Sequence, residues 1–538
     1  MSEIHSNISQ DDCPDIHTHL RKNDLITRRN IVLKKYEKRV RELGKDIPPG
    51  PQRIRGIAGS GKTRLLCYKA ACMHHAHPEW DIALIFQTQS LYEEIKAQVN
   101  LALFSIGGTW DQEKLHVMHA WGGRRRPGFY SEVLNAQGIM PLTLNDVPRS
   151  SRKDALPYAC HKFLTTHDGQ IERPLYDAVL IDEGQDQMTP SSDLLYEKRQ
   201  PFYWFAYQAL RPADQDTPSL RRLIWAYDEY QNLNTLQIPS TKEIFGDDPD
   251  ARRMLAGKYP NGIWKSMVLK QCYRTPGPII LAAHAIGMGL FRREGRIAGP
   301  TTKAAWQALG YEVQGDFRKV GEDITLYRPP ENSPNPLTGP DGNIPFKFRT
   351  FHGEPEERRY LGRAINHDLN EGLAPEQILV VVLHTRLGTV AETLGKYGIE
   401  TYIAGAEKMN QYYSLKGNNE RPEKFRTKDA VTITNLGKAK GNEGDMVYIV
   451  GLDEIARKEG EVGARNRLFV AMTRSRGWTE IMGTGRHSLY DEVNSVEHAL
   501  QKDPCRLTFA HRTPKFALNA TEEDPDGSVQ IDLNRFGL

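Results

Sequence analysis

A chain of 538 residues is too long for one ordinary hydrophobic core, so two to four domains are expected. With 39% hydrophobic and 26% charged residues it is neither disordered nor membrane-embedded; no stretch nears the roughly 18 uncharged apolar residues of a membrane span, and Met1 to Gln10 is too polar for a signal peptide. A net charge of +3 does not mark a nucleic-acid binder by itself, and six scattered cysteines with no C-x-x-C pair argue against a disulfide framework or zinc ribbon, so a cytoplasmic protein with reduced thiols and no membrane partner is expected.

Residues 1–50 form a basic N-terminal extension, helical in pattern from Ile31 to Leu43. Next, Arg55-Gly56-Ile57-Ala58-Gly59-Ser60-Gly61-Lys62-Thr63 fits the spacing G-x-x-x-x-G-K-[ST]. Gly56, Gly59 and Gly61, with Ala58 and Ser60 between them, let backbone N–H groups turn toward phosphate oxygens at the start of a helix. Lys62 would reach the β- and γ-phosphates of ATP, and the Thr63 hydroxyl would hold Mg²⁺. Cys72-Met73-His74-His75-Ala76-His77 is expected beyond the end of that helix, as solvated loop histidines rather than a metal site.

Short apolar runs follow at Ile82 to Phe86 and Leu115 to Trp121, each suited to a buried parallel strand. Ala178 to Ile181 then delivers Asp182 and Glu183, an arrangement in which the first acid holds Mg²⁺ and the second positions or deprotonates the attacking water. Leu223 to Tyr227 ends in Asp228. From about residue 277 a second αβ unit begins, with strands expected at 349–351, 378–383, 431–434 and 446–450 and helices at 355–370 and 387–397. His119, Trp121, Arg124, Arg125, Arg126, Phe129 and Tyr130 interleave charge with aromatic rings, a composition suited to phosphate contacts and base stacking on a single strand. Basic residues also gather at Arg152-Lys153 and Arg292-Arg293, while residues 516–538 form an acidic tail.

Taken in order, the phosphate loop, Gln87 to Leu91, His119 with Trp121, Asp182 to Asp186, Asp228 to Gln231, Tyr273-Arg274, Lys440 to Glu443 and Val470 to Arg474 resemble the motif series of UvrD/Rep-type superfamily 1 helicases, from about residue 53 to 485. That resemblance implies an α/β fold of two RecA-like (P-loop NTPase) domains with parallel sheets and an inter-domain ATP cleft, here expected at 51–276, with a small insertion near 122–172, and at 277–515. It implies a γ-phosphate sensor at Gln231, a stacking ring at Tyr273, a γ-phosphate contact at Arg274, a ribose contact at Glu443 beside Gly441, and an arginine finger at Arg474. Thr88 and Asn435 fall in segments that face nucleic acid in the family. The glutamine motif that reads adenine there is not recognisable, the local residues being Tyr36-Glu37-Lys38.

About sixty residues separate Trp121 from Asp182, which leaves little room for accessory subdomains. The expected activity is that of a compact ATP-dependent helicase or translocase on single-stranded DNA, or on a DNA end or junction, in repair or anti-phage defence. Two alternatives stand beside it: an ATP-gated DNA sensor that activates a partner nuclease with little unwinding, and an RNA-directed enzyme.

Overall fold

The computed structural model describes residues 21–88, 91–123, 126–228, 239–246, 254–338, 342–384, 386–406, 409–410, 413, 424–517 and 529–530. The first sheet contains β1 (Gln52–Gly56), β2 (Ile82–Phe86), β3 (Leu115–His119), β4 (Ala178–Ile181), β5 (Arg222–Tyr227) and β6 (Ser266–Leu269). Its order is β6-β1-β5-β4-β2-β3, every pairing is parallel, and Val529–Gln530 extend it beside β6. That last pairing returns part of the expected acidic tail to the core sheet; most of the tail lies outside the described residues.

The second sheet, in the order β7-β12-β11-β8-β10-β9, is also parallel. Its strands are β7 (Phe346–Phe351), β8 (Ile378–Val382), β9 (Thr401–Ile403), β10 (Val431–Asn435), β11 (Gly444–Val450) and β12 (Ser475–Thr484). Helices cover both faces of each sheet, so runs such as Ile378-Leu379-Val380-Val381-Val382 are apolar at consecutive positions and fully buried. Two sheets of this kind are the RecA-like α/β architecture expected from the motif order.

Parallel strands place all their carboxyl ends on one edge. In the first sheet that edge carries the phosphate loop after β1, Thr88 after β2, His119 at the end of β3, Asp182 after β4 and Asp228 after β5. The second sheet contributes its opposite edge: Glu443 precedes β11 and Arg474 precedes β12, and the Gly444–Ser475 register sets them side by side.

Among the helices, α2 (Lys62–Ala76) starts at the phosphate loop and α3 (Tyr92–Ser105) packs beside it; α4 (Gly277–Met288) and α5 (Glu354–Asn370) belong with the second sheet, as do α6 (Leu387–Gly395) and α7 (Leu436–Ala439). α8 (Val462–Met472) leads into Arg474, and α9 (Ser488–Lys502) follows β12. α4 is apolar around its whole circumference and is buried from Ile279 to Ile286, as a helix wrapped on all sides must be.

Several expectations change. The N-terminal helix, α1, runs Lys22–Gly44 and starts well before Ile31. Cys72 to His75 are helical residues of α2 rather than loop, and His74 is buried with its Nε2 accepting from the Asp111 N–H at 3.2 Å. β12 and a small antiparallel sheet of Glu312–Gln314, Asp323–Tyr327 and Arg506–Ala510 were not anticipated; the latter strands alternate buried and exposed residues instead of forming an apolar run.

α1 spans about 34 Å at 1.5 Å per residue, long enough to touch both sheet units. Val40 and Leu43 pack on the first core, whereas Ile26 is buried in the second. Two ion pairs fix its N-terminal half to the second unit, Lys22 to Asp368 at 2.5 Å and Arg29 to Asp445 at 2.6 Å.

Candidate nucleotide site and nucleic-acid surface

The turn after β1 depends on backbone geometry that side chains oppose. Gly59 and Gly61 have φ of +72° and +86°, and a Cβ on Gly59 would lie 2.6 Å from the Arg274 Cβ. Lys62 is buried, its Nζ donating to the Gly56 and Ile57 carbonyls at 2.8 and 3.1 Å and lying 3.5 Å from Asp228 Oδ2. One step along α2, the Thr63 hydroxyl donates to Asp182 Oδ2 at 2.7 Å.

Asp182 is 1% exposed, and its other oxygen, Oδ1, has no hydrogen-bond partner. Burial, reinforced by the neighbouring Glu183 charge, pushes its carboxyl up to about 7. A buried oxygen without a donor beside a hydroxyl is a donor set suited to a divalent cation, so Thr63 and Asp182 fit the Mg²⁺ role expected of them.

Glu183 follows in a left-handed conformation, φ +50°, which costs a non-glycine residue about 1 kcal/mol or more and directs its carboxylate into the cleft end of the sheet. Burial opposes its ionisation, but Lys440 and Lys62, a hydrogen bond from Gln185 and the more distant Arg474 outweigh burial and hold it below the usual carboxylate range. Gln185 also accepts from the Asp228 N–H at 3.1 Å, closing a network from Glu183 to Lys62.

A cavity of about 460 Å³ joins the two units. Gly59 to Thr63, Glu183, Tyr273 and Arg274 line it from the first sheet's side, Gly441, Glu443 and Arg476 from the second, and Arg29 and Asn30 from α1. Arg274 Nε pairs with Glu443 Oε2 at 2.5 Å, and Arg476 reaches the other oxygen at 3.3 Å. Burial opposes the Glu443 charge, but Arg274, Arg476 and Arg426 bring it down to about 2. Arg474 is fully buried, its Nε donating to the Val470 carbonyl at 2.9 Å; burial and the like charge of Arg274 lower it to about 10. Lys440 crosses to Asp186 at 2.5 Å.

Six phosphate-loop positions (Gly56, Ala58, Gly59, Ser60, Gly61 and Lys62), together with Thr63, Asp182, Glu183, Tyr273, Arg274, Gly441, Glu443 and Arg474, therefore fall on or beside one cleft. Gln231 lies outside the described residues. Sequence reading gave no role to Arg29, Glu94, Lys440 or Arg476. Arg476 stands two residues past Arg474 and Lys440 opens the Lys440 to Glu443 segment, so both had a local signal; Arg29 had none, because its place depends on where α1 crosses.

The rings of the expected nucleic-acid patch are packed into the protein. Phe129 and Tyr130 are 0% and 1% exposed, members of the first core. Trp121 is half-buried, donates its indole N–H to Leu142 O at 3.0 Å and meets Tyr130 edge-on. His119 Nδ1 accepts from the N–H groups of Trp121 and Gly122, so Nε2 carries the proton and donates to Gln87 O at 2.7 Å. Burial lowers its pKa, leaving a neutral, structural ring instead of a phosphate ligand. Arg124 and Arg125 lie outside the described residues, and Arg126 contributes backbone to a short strand. Thr88 is half-buried after β2; Asn435 is exposed at the end of β10, its side-chain oxygen accepting from the Lys438 N–H at 3.0 Å.

The site and the paired parallel sheets define a P-loop-type α/β protein. Residues 430–481 match the family model of the UvrD-like helicase C-terminal domain, which supports a UvrD-type helicase. Among solved structures, the C-terminal domain of a possible DNA helicase from Lactobacillus plantarum WCFS1 is similar at 14% identity, over 30% of this chain and 87% of that chain, with a TM-score of 0.23. No curated protein matches. The matched segment contains Asn435, Gly441, Glu443 and Arg474.

Proposed function

We propose that this chain is an ATP-dependent DNA helicase or translocase that couples hydrolysis to movement on single-stranded DNA. The observation that carries the proposal is the shared cavity, in which the phosphate loop and Glu183 from one sheet face Gly441 and Glu443 from the other. A cleft of this construction binds nucleotide only when both halves are in register, so occupancy and closure are linked.

Within that reading, the loop N–H groups and Lys62 bind phosphate, exchanging the Gly56 and Ile57 carbonyls for phosphate oxygens. Mg²⁺, held by Thr63 and Asp182, would supply charge neutralisation at the phosphates. Glu183, ionised because of Lys440 and Lys62, takes the role of orienting water and accepting its proton. Arg474 approaches from the second unit; a finger of this kind is worth about 10³ to 10⁵ in rate. Glu443 holds Arg274 by a direct pair, so Arg274 exchanges that carboxylate for phosphate as the cleft fills.

One observation favours the second reading, a gated DNA sensor that recruits a nuclease. α1 bridges the two units, packing Val40 and Leu43 on the first core and pairing Lys22 and Arg29 with the second, a restraint that suits a limited switch. A strand-displacement assay separates the readings: ATP-driven displacement of an annealed oligonucleotide supports the motor, while ATP-dependent DNA binding without displacement supports the sensor. For the nucleotide site itself, binding of a fluorescent ATP analogue by the wild type and its loss in Lys62→Ala is the test; equal binding by both would refute the assignment.

A further inference from the structure

A second cavity, about 710 Å³, lies away from the nucleotide cleft and has no part in the chemistry above. Lys153, Lys458, Arg467 and Lys515 line it, with Glu461 as the acid among its lining residues and Phe516 at its edge. Lys153 comes from the segment before β4, so the cavity is built by both sheet units. Arg467 donates to the Leu383 carbonyl at 3.4 Å, at the carboxyl end of β8. Among the described residues no carboxylate pairs with any of these four cations. Phe516 is 44% exposed, a rare surface for a phenylalanine, and Lys515 stands 5.5 Å from its ring centre.

Four cations against one carboxylate, Glu461, leave the cavity with an excess of positive charge that attracts an anion, and an exposed ring beside them offers a face for a flat, apolar group. Phosphate and base together meet both requirements. We infer that this cavity is a contact site for single-stranded nucleic acid, with Lys153, Lys458, Arg467 and Lys515 on the phosphodiesters and Phe516 stacking on a base. The inference rests on the strand-dependent reading above and supplies a strand site for it in place of the half-buried Trp121 patch.

The site also has a route to the nucleotide cleft. Gly460, Val462 and Gly463 at the start of α8 line the cavity, and the same helix ends at Met472, two residues before Arg474, about 16 Å away. Arg465 fixes the helix between these ends, pairing with Glu492 at 2.9 Å and donating to the Ile286 carbonyl at 2.8 Å. Strand contact at one end is thereby linked to the arginine at the other through a single rigid element.

The experiment is fluorescence anisotropy of a labelled oligothymidylate over a range of salt, on the full chain, with Lys153→Ala/Lys458→Ala/Lys515→Ala and separately Phe516→Ala. The triple variant is expected to bind more weakly and to lower the slope of log affinity against log salt by about 2, at roughly 0.7 per lost phosphate contact. Phe516→Ala is expected to weaken binding about tenfold with the slope unchanged. All four residues are exposed, so the fluorescent ATP analogue should bind every variant as it binds the wild type. Strand binding by the wild type with the same affinity and slope in both variants would overturn this inference and leave the nucleotide assignment standing. A wild type that binds no single strand would instead refute the strand-dependent reading on which it rests.

Discussion

Lys440 and Asp186 pair across the two units with side-chain exposures of 4% and 18%. At 2.5 Å and an effective dielectric constant near 20, their gross attraction is about 7 kcal/mol. Desolvation of both groups offsets much of that, and removing one partner of a buried pair typically costs about 3 to 5 kcal/mol because the survivor is stranded. Asp186 is already pushed upward by burial, so after Lys440→Met it takes up a proton, which caps the loss near the lower figure, about 3 kcal/mol. For a unit of 150–250 residues that is a fall in Tm of roughly 6–12 °C. Asp186→Asn should cost less, because Lys440 keeps Glu183 as a charge partner. Calorimetry on both single variants and the double should therefore show a double-variant loss well below the sum of the singles, with a coupling of about 2 kcal/mol. Losses that add within about 0.5 kcal/mol would mean the two side chains do not share one interaction, and the closed arrangement of the cleft would be refuted.

Gly441 has φ +83°, and a Cβ there would stand 2.4 Å from Leu91 Cδ1 on the opposite unit. Gly441→Ala should weaken ATP binding about tenfold, and Leu91→Ala added to it should restore part of the affinity, as read by analogue titration. Glu357 is buried, and burial raises its carboxyl to about 7 against an ordinary 4.5; the Gly451 N–H only partly opposes this. Its folded-state pKa being the higher one, its contribution is fully present below about pH 4.5 and lost as pH rises through 7, so Glu357→Gln should stabilise the protein at pH 8 by about 3 kcal/mol and near pH 4.5 hardly at all in urea melts. Arg29→Met cuts the tie of α1 to Asp445, which keeps Arg476 and Gln377 as partners, and should raise hydrogen exchange along α1 while leaving β4 protected; equal protection in variant and wild type would refute the strap.

The sheets were legible because parallel strands buried on both faces must be apolar at successive positions, as in Ala178 to Ile181 and Ile378 to Val382. The nucleotide cleft was legible for a related reason: the glycines, Lys62, Thr63 and the acids after β4 are each required by local geometry or charge. The strand surface was not. Trp121, Phe129 and Tyr130 carry the same letters whether they stack on a base or on each other, and only their packing with Tyr176, Phe202 and Phe205 decides it. The cavity beneath Phe516 was hidden for the opposite reason, since Lys153, Lys458 and Lys515 are far apart in sequence and converge only in the fold. β12 was missed because its Ser475-Arg476-Gly477 start is polar, although Trp478 to Gly483 is buried.

Steady-state ATP hydrolysis by the purified chain, alone and with single-stranded DNA, duplex DNA or single-stranded RNA, tests the central claim most directly. Hydrolysis stimulated by single-stranded DNA in the wild type and abolished in both Lys62→Ala and Glu183→Gln is the result the account predicts. Hydrolysis that is absent with every polymer, or equal in the wild type and the two variants, would contradict it.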